Sequence, residues 1–181
     1  MERRPTEQLK LLYAKAEPIL LLLLDVDGVL TDGSLVYSQN GFESKVFNTQ
    51  DGLGLRLARQ GGVETGIITA RTSPMVRKRA EELGMKYLFQ GVENKLGTFR
   101  TILDRTGCKP YQVCYMGDDL IDLGLLSRVG LAACPANAVP EVKDICHFVA
   151  DRTGGSGAVR QTCELILRAK GRYQALVQQF L

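Results

Sequence analysis

The chain has 181 residues, 45% hydrophobic and 24% charged, a composition that excludes disorder and suits one buried core. A net charge of +3 is too small an excess to imply nucleic-acid binding, which usually shows as a clustered basic stripe. A large enzyme with a separate lid domain is also excluded at this length.

Residues 1–18 read as a helical extension, followed by one domain over 19–181. Residues 19–24 form an apolar run with the pattern of a buried strand. Residues 35–37 and 44–47 are short strand candidates flanking Gln39-Asn40-Gly41, which predicts a hairpin. Residues 51–60 read as a helix with Leu53, Leu57 and Ala58 inward, stopped by Gly61-Gly62. A strand is expected over 63–69. A helix follows over 73–83, with Ser73 as N-cap, Pro74 in its first turn and Gly84 beyond its end. Then come a strand (86–89), a helix (94–106) stopped by Gly107, a strand (112–116), a helix (120–127) and a strand (131–133). A short helix (139–144) and a last strand (148–150) precede Gly154-Gly155-Ser156-Gly157, which reads as a flexible joint. A terminal helix over 158–179 is interrupted near Gly171. This alternation predicts an α/β fold: a three-layer, doubly wound, mainly parallel sheet, with ligands beyond the carboxyl ends of its strands.

The longest apolar run is far shorter than the ~20 residues of a membrane span. No small-residue cleavage site follows Arg3 and Arg4, so no signal peptide is expected. The five cysteines are odd in number and lack metal-ligand spacing, which points to reduced thiols in a cytoplasmic protein.

Chemistry gathers where strands end. The first runs into Asp25-Val26-Asp27-Gly28-Val29-Leu30-Thr31-Asp32, another into Thr69-Ala70-Arg71, and a third into Gly117-Asp118-Asp119, with Asp122 a turn later. Lys95 opens the helix between the last two. In a parallel sheet these groups converge at one edge. Clustered carboxylates repel one another and call for a cation, and an all-oxygen set suits Mg²⁺. A carboxylate beside Mg²⁺ can attack a phosphoryl group, and one two residues later can serve as acid and base. Gly28 lets backbone approach a phosphate, while Thr69 and Lys95 are of the right types to clamp it. Each element alone has an ordinary explanation as a turn, a cap or a solvated residue. Their order, each behind a strand, is what chance rarely supplies. His147, the single histidine, lacks a ligand partner and reads as structural. Arg77, Lys78 and Arg79 read as a solvated face.

The set DVDGVLTD, Thr69, Lys95 and GDDLIDL resembles the haloacid dehalogenase-like phosphatase superfamily. With FNTQDGLGL, IITAR, QGVENK and GGSGAVRQ, it is most similar to the capless 3-deoxy-D-manno-octulosonate 8-phosphate (KDO 8-phosphate) phosphatases. The resemblance implies Asp25 as nucleophile and Mg²⁺ ligand, and Asp27 as general acid/base with its carbonyl on the metal. It implies Asp118 as a further metal ligand, Asp119 and Asp122 in support, and Thr69, Lys95 and Gly28 on the phosphoryl group. Arg71, Arg160 and Asp32 are the candidates for holding the substrate. Gln50, Ala70 and Asn94 depart from the family pattern without removing a catalytic group, and Gln50 bears on which sugar acid is bound.

The expected substrate is KDO 8-phosphate. The alternatives are a nine-carbon acid 9-phosphate (KDN or an N-acylneuraminate) and, in another class, a binding module without turnover. No cap domain fits between Asp25 and Thr69 or between Lys95 and Asp118. The hairpin, marginal on its own, is therefore expected to pack on a neighbouring copy. The resemblance implies a homotetramer, in which the hairpin or C-terminal tail closes a neighbouring site.

Overall fold

The computed structural model describes residues 6–37, 39 and 43–181. In chain order, α1 (Glu7–Ala16) leads to β1 (Leu21–Leu24), then to the antiparallel pair β2 (Val36–Tyr37) and β3 (Glu43–Ser44). There follow α2 (Thr49–Gln60), β4 (Glu64–Ile68), α3 (Pro74–Glu82), β5 (Tyr87–Phe89), α4 (Lys95–Thr106) and β6 (Val113–Met116). The chain closes with α5 (Leu123–Leu126), β7 (Leu131–Cys134), α6 (Pro140–Ile145), β8 (Phe148–Val149), α7 (Ala158–Ala169) and α8 (Tyr173–Val177).

The main sheet is parallel, in the order β5-β4-β1-β6-β7-β8. The chain winds outward from β1 through β4 to β5, then returns to β6 on the other side of β1. That reversal opens a crevice beyond the carboxyl end of β1, the usual place for a ligand.

The four leucines of β1 are all buried because both faces of the sheet are covered. Leu22 and Leu24 pack with Leu55, Ala58, Val76 and Ile166 on one face. Leu21 and Leu23 pack with Phe99, Ile102, Leu125 and Val142 on the other. The period of two in the strand thus divides its side chains between two cores.

Most expected elements are present, with shifts at their ends. The hairpin's second strand pairs at Glu43–Ser44, ahead of the expected 44–47, and the expected turn residues Asn40 and Gly41 lie outside the described residues. Helix α2 starts at Thr49 because Asn48 caps it, accepting from the Gln50 and Asp51 amides. On that helix Leu55 is buried and Leu53 is 37% exposed, so Leu53 is not a core residue. Ser73 occupies the N-cap of α3 without a side-chain capping bond, and its amide donates to Gln90 Oε1 (2.8 Å). The helix expected over 120–127 is split into a 3-10 turn (Leu120–Asp122) and the short α5.

Two segments are built into the fold more tightly than their sequences suggest. Helix α1 packs against α7, Ala16 is fully buried in the first core, and Lys170 Nζ donates to the Glu17 carbonyl (2.7 Å). The glycine-rich segment 154–157 is a clasp rather than a flexible joint. The Gly154 amide donates to Asn137 Oδ1 (2.7 Å), the Gly155 amide to the Val29 carbonyl (3.0 Å) and the Gly157 amide to Asp51 Oδ2 (3.3 Å). Any side chain at Gly154 would overlap the Gly28 carbonyl, so glycine is required by close approach.

Candidate active site

Backbone pairing fixes the first group. The Asp25 amide donates to the Met116 carbonyl, which sets the residue at the very end of β1. Its Oδ1 accepts from the Val26 amide (2.7 Å) and its Oδ2 pairs with Lys95 Nζ (2.8 Å). Lys95 comes from the first turn of α4, which Asn94 caps through the Gly97 amide. The lysine also pairs with Asp122 Oδ1 (2.7 Å) and lies 3.2 Å from the Tyr115 hydroxyl. Tyr115 in turn donates to Asp122 Oδ1 (2.6 Å), and the Asp118 and Asp119 amides donate to Asp122 Oδ2. Asp122 is therefore fully satisfied, and it orients both Lys95 and the loop that carries Asp118.

Carboxylate oxygens of Asp25, Asp118 and Asp122 lie within 4.8 Å of one another. Burial pushes Asp25 up to about 6 against the opposing pull of Lys95. Burial, reinforced by the charges of Asp25 and Asp122, pushes Asp118 up to about 7. Burial opposes the Lys95 charge, yet the two neighbouring carboxylates hold the ammonium above the usual lysine range. Asp118 Oδ1 is buried without a hydrogen-bond partner among the described residues. A buried oxygen of this kind is costly unless something binds it. Three hard oxygen donors, one of them unpartnered, fit a divalent cation such as Mg²⁺. The expected side-chain ligands Asp25 and Asp118 meet here with Asp122 beside them, and the Asp27 carboxylate, expected at acid and base work rather than on the metal, points to other partners.

Those partners belong to the hairpin. Lys45 Nζ donates to Asp27 Oδ1 and pairs with Glu43 Oε1 (3.1 Å). Arg71 reaches Asp27 Oδ2 (3.8 Å), Glu43 Oε1 (3.4 Å) and the Tyr37 hydroxyl (3.2 Å). Gly28 has φ +86°, and a Cβ there would overlap the Asp118 carboxylate, so only glycine fits between the two loops. Its carbonyl accepts from Asn137 Nδ2 (3.1 Å). Thr69 is buried at the end of β4, its amide donating to the Phe89 carbonyl and its own carbonyl accepting from the Val92 amide.

Three expected residues are not brought into this cluster. Asp119 caps the turn that follows it, accepting from the Leu120 amide (2.7 Å). Asp32 is exposed and closes its own turn through the Ser34 amide (2.9 Å). Arg160 pairs with Glu164 (2.6 Å), and its amide donates to Asp51 Oδ1 (2.8 Å). Sequence reasoning missed Tyr115, Asn137, Glu43 and Lys45. Lys45 lies just past β3, where Lys45 and Phe47 are partly buried and Ser44 and Val46 are exposed. His147 is structural as read: its Nδ1 accepts from the Ala132 amide (3.0 Å). Arg79 is not solvated, since it donates to the Asn48 carbonyl (3.1 Å).

A haloacid dehalogenase-like hydrolase family profile matches residues 90–161. Over 159 residues the chain is 45% identical to the 3-deoxy-D-manno-octulosonate 8-phosphate phosphatase KdsC of Shigella flexneri, covering 88% of this chain and 85% of that one. The corresponding Yersinia pestis protein is 40% identical over 160 residues, covering 88% and 86%. Among solved structures, the Moraxella catarrhalis phosphatase, in complex with magnesium, phosphate and KDO, aligns with a TM-score of 0.93 at 38% identity, covering 95% of this chain and 99% of that one. The cobalt-bound Haemophilus influenzae phosphatase aligns with a TM-score of 0.87 at 34% identity, covering 92% and 98%.

Proposed function

The chain belongs to the 3-deoxy-D-manno-octulosonate 8-phosphate phosphatase family of haloacid dehalogenase-like hydrolases, and on that premise we propose that it is an Mg²⁺-dependent phosphatase of KDO 8-phosphate. The observation that carries the reading is the meeting of Asp25, Lys95 and the unpartnered Asp118 oxygen beyond β1.

Asp25 and Asp118, with the Asp27 carbonyl, would hold the ion, and Asp122 would support them. When bound, Mg²⁺ offsets the carboxylate charges and the developing charge on the phosphoryl oxygens. Asp25, fixed by the Val26 amide and Lys95, attacks phosphorus in line with the departing sugar oxygen. Asp27 gives that oxygen a proton and then takes one from the water that hydrolyses the aspartyl-phosphate on Asp25. Lys95 and Thr69 hold the transferring oxygens, and Gly28 lets the backbone close on them. Arg71, 40% exposed in its side chain, faces the substrate's carboxylate.

We further propose a cytoplasmic homotetramer. No described helix is long and apolar enough to cross a membrane. On the hairpin, Val36 and Val46 are 54% and 77% exposed and would be covered by a neighbouring copy. Phosphate release from KDO 8-phosphate with Mg²⁺, compared with KDN 9-phosphate, tests the substrate. Equal or better turnover of the nine-carbon acid overturns it. A monomeric mass by light scattering, at full activity, overturns the assembly.

A further inference from the structure

The hairpin does more than lie beside the site. Tyr37 stands opposite Glu43 across the two strands, so these side chains share a face, and Lys45 falls on the same face two residues on. That face meets Asp27 and Arg71. The result is a neutral square of two carboxylates, Asp27 and Glu43, and two cations, Lys45 and Arg71, each cation touching both acids.

The two sides of the square are held unequally. The Lys45 side chain is 1% exposed and sits between its two acids. Arg71 is 40% exposed, its contacts to Asp27 and Glu43 are 3.8 and 3.4 Å, and its Nε is buried without a hydrogen-bond partner among the described residues. Glu43 Oε1 is likewise without a good hydrogen bond. An arginine fork favours two parallel bonds to one carboxylate, and Glu43 does not supply them. Arg71 therefore rests on a carboxylate that it grips poorly, at the open side of the site.

We propose that Glu43 is a built-in stand-in for the substrate's carboxylate: it occupies Arg71 until a sugar acid takes its place, so that the hairpin sets selectivity for acid-bearing phosphates. The proposal rests on the reading above that the substrate is a sugar-acid phosphate. A phosphate ester without a carboxylate has no group to exchange with Glu43 and leaves the square closed. A sugar acid opens the Arg71 side while Lys45 keeps its hold on Asp27.

The test compares KM for KDO 8-phosphate with KM for an aryl phosphate in the Mg²⁺-loaded enzyme. In Glu43→Gln the ratio of acid to aryl KM is expected to fall about five-fold, the size of a half-exposed ion pair that no longer has to be broken. Glu43→Asp should restore the ratio toward that of the parent. An unchanged or raised ratio in Glu43→Gln overturns the proposal, because a merely structural hairpin residue moves both KM values together. If the parent hydrolyses the aryl phosphate and not the acid, the substrate reading fails separately. Competitive inhibition of aryl phosphate hydrolysis by free KDO then decides: tighter inhibition in Glu43→Gln supports the stand-in, and equal or weaker inhibition overturns it.

Discussion

Lys95 and Lys45 both bridge two carboxylates, yet they sit on very different supports. Lys95 projects from a twelve-residue helix against the sheet and is locked by Asp25, Asp122 and Tyr115. Lys45 hangs from a two-stranded ribbon whose other face carries exposed valines. Under the proposed function the difference would separate two tasks. Handling a phosphoryl group demands fixed geometry, which the core supplies. Reading the rest of the substrate would tolerate a lighter element, such as the hairpin completed by the proposed neighbouring copy.

That contrast can be broken from either side. The largest effect is expected for Asp25→Asn: with the proposed nucleophile gone, phosphate release should drop at least ~10⁴-fold in a steady-state assay while the fold is kept. Lys95→Met leaves Asp25 and Asp122 buried without their cation. Urea unfolding should show a loss of about 3–5 kcal/mol, and activity should fall about 10²–10³-fold. Lys45→Met should cost less stability by the same measurement, because its ribbon contributes little to either core.

The metal-free protein offers a pH test of the rigid side. Asp25 and Asp118 are raised from 3.8 to about 6 and about 7, so the folded state keeps protons that the unfolded chain has lost. Their contribution is fully present below pH ~4 and is lost as pH rises through 6 to 7. Thermal melts in chelator should show this decline, and added Mg²⁺ should reverse it most strongly near neutral pH. Tyr115→Phe removes one hydroxyl from Asp122, and a loss of about 1–2 kcal/mol is expected by the same melts. The smallest change in protomer stability, within ~0.5 kcal/mol, is expected for Val46→Asp, which should instead lower the assembled mass in light scattering.

The rigid half was legible in the sequence for a physical reason. Asp25, Thr69 and Asp118 each follow a buried strand, so local pattern alone places them at one edge. Asp122 was legible as a helper but not as the hub, because its four partners come from β6, α4 and its own turn. The hairpin half was hidden. Whether Lys45 faces solvent or Asp27 depends on how the ribbon folds back, which its few residues leave to tertiary contacts. Asn137 was hidden for the same reason: it bridges Gly28 and Gly154, and nothing near it in sequence announces either. Arg160 and Asp32 were suggested by residue type alone, and the backbone places both outside the cluster around Asp25.

The clasp at Gly154–Gly157 also has a consequence for how the protein is made. The loop that carries Asp25 and Gly28 leaves the ribosome early, but Asn137, Gly154 and Gly155, which brace it, emerge more than a hundred residues later. The helix that follows them, α7, covers α2 and α1. A nascent chain therefore displays its reactive carboxylates well before it can hold them in order. Ordering of the Asp25 loop therefore waits on a segment more than a hundred residues downstream, which makes its folding a late, long-range event.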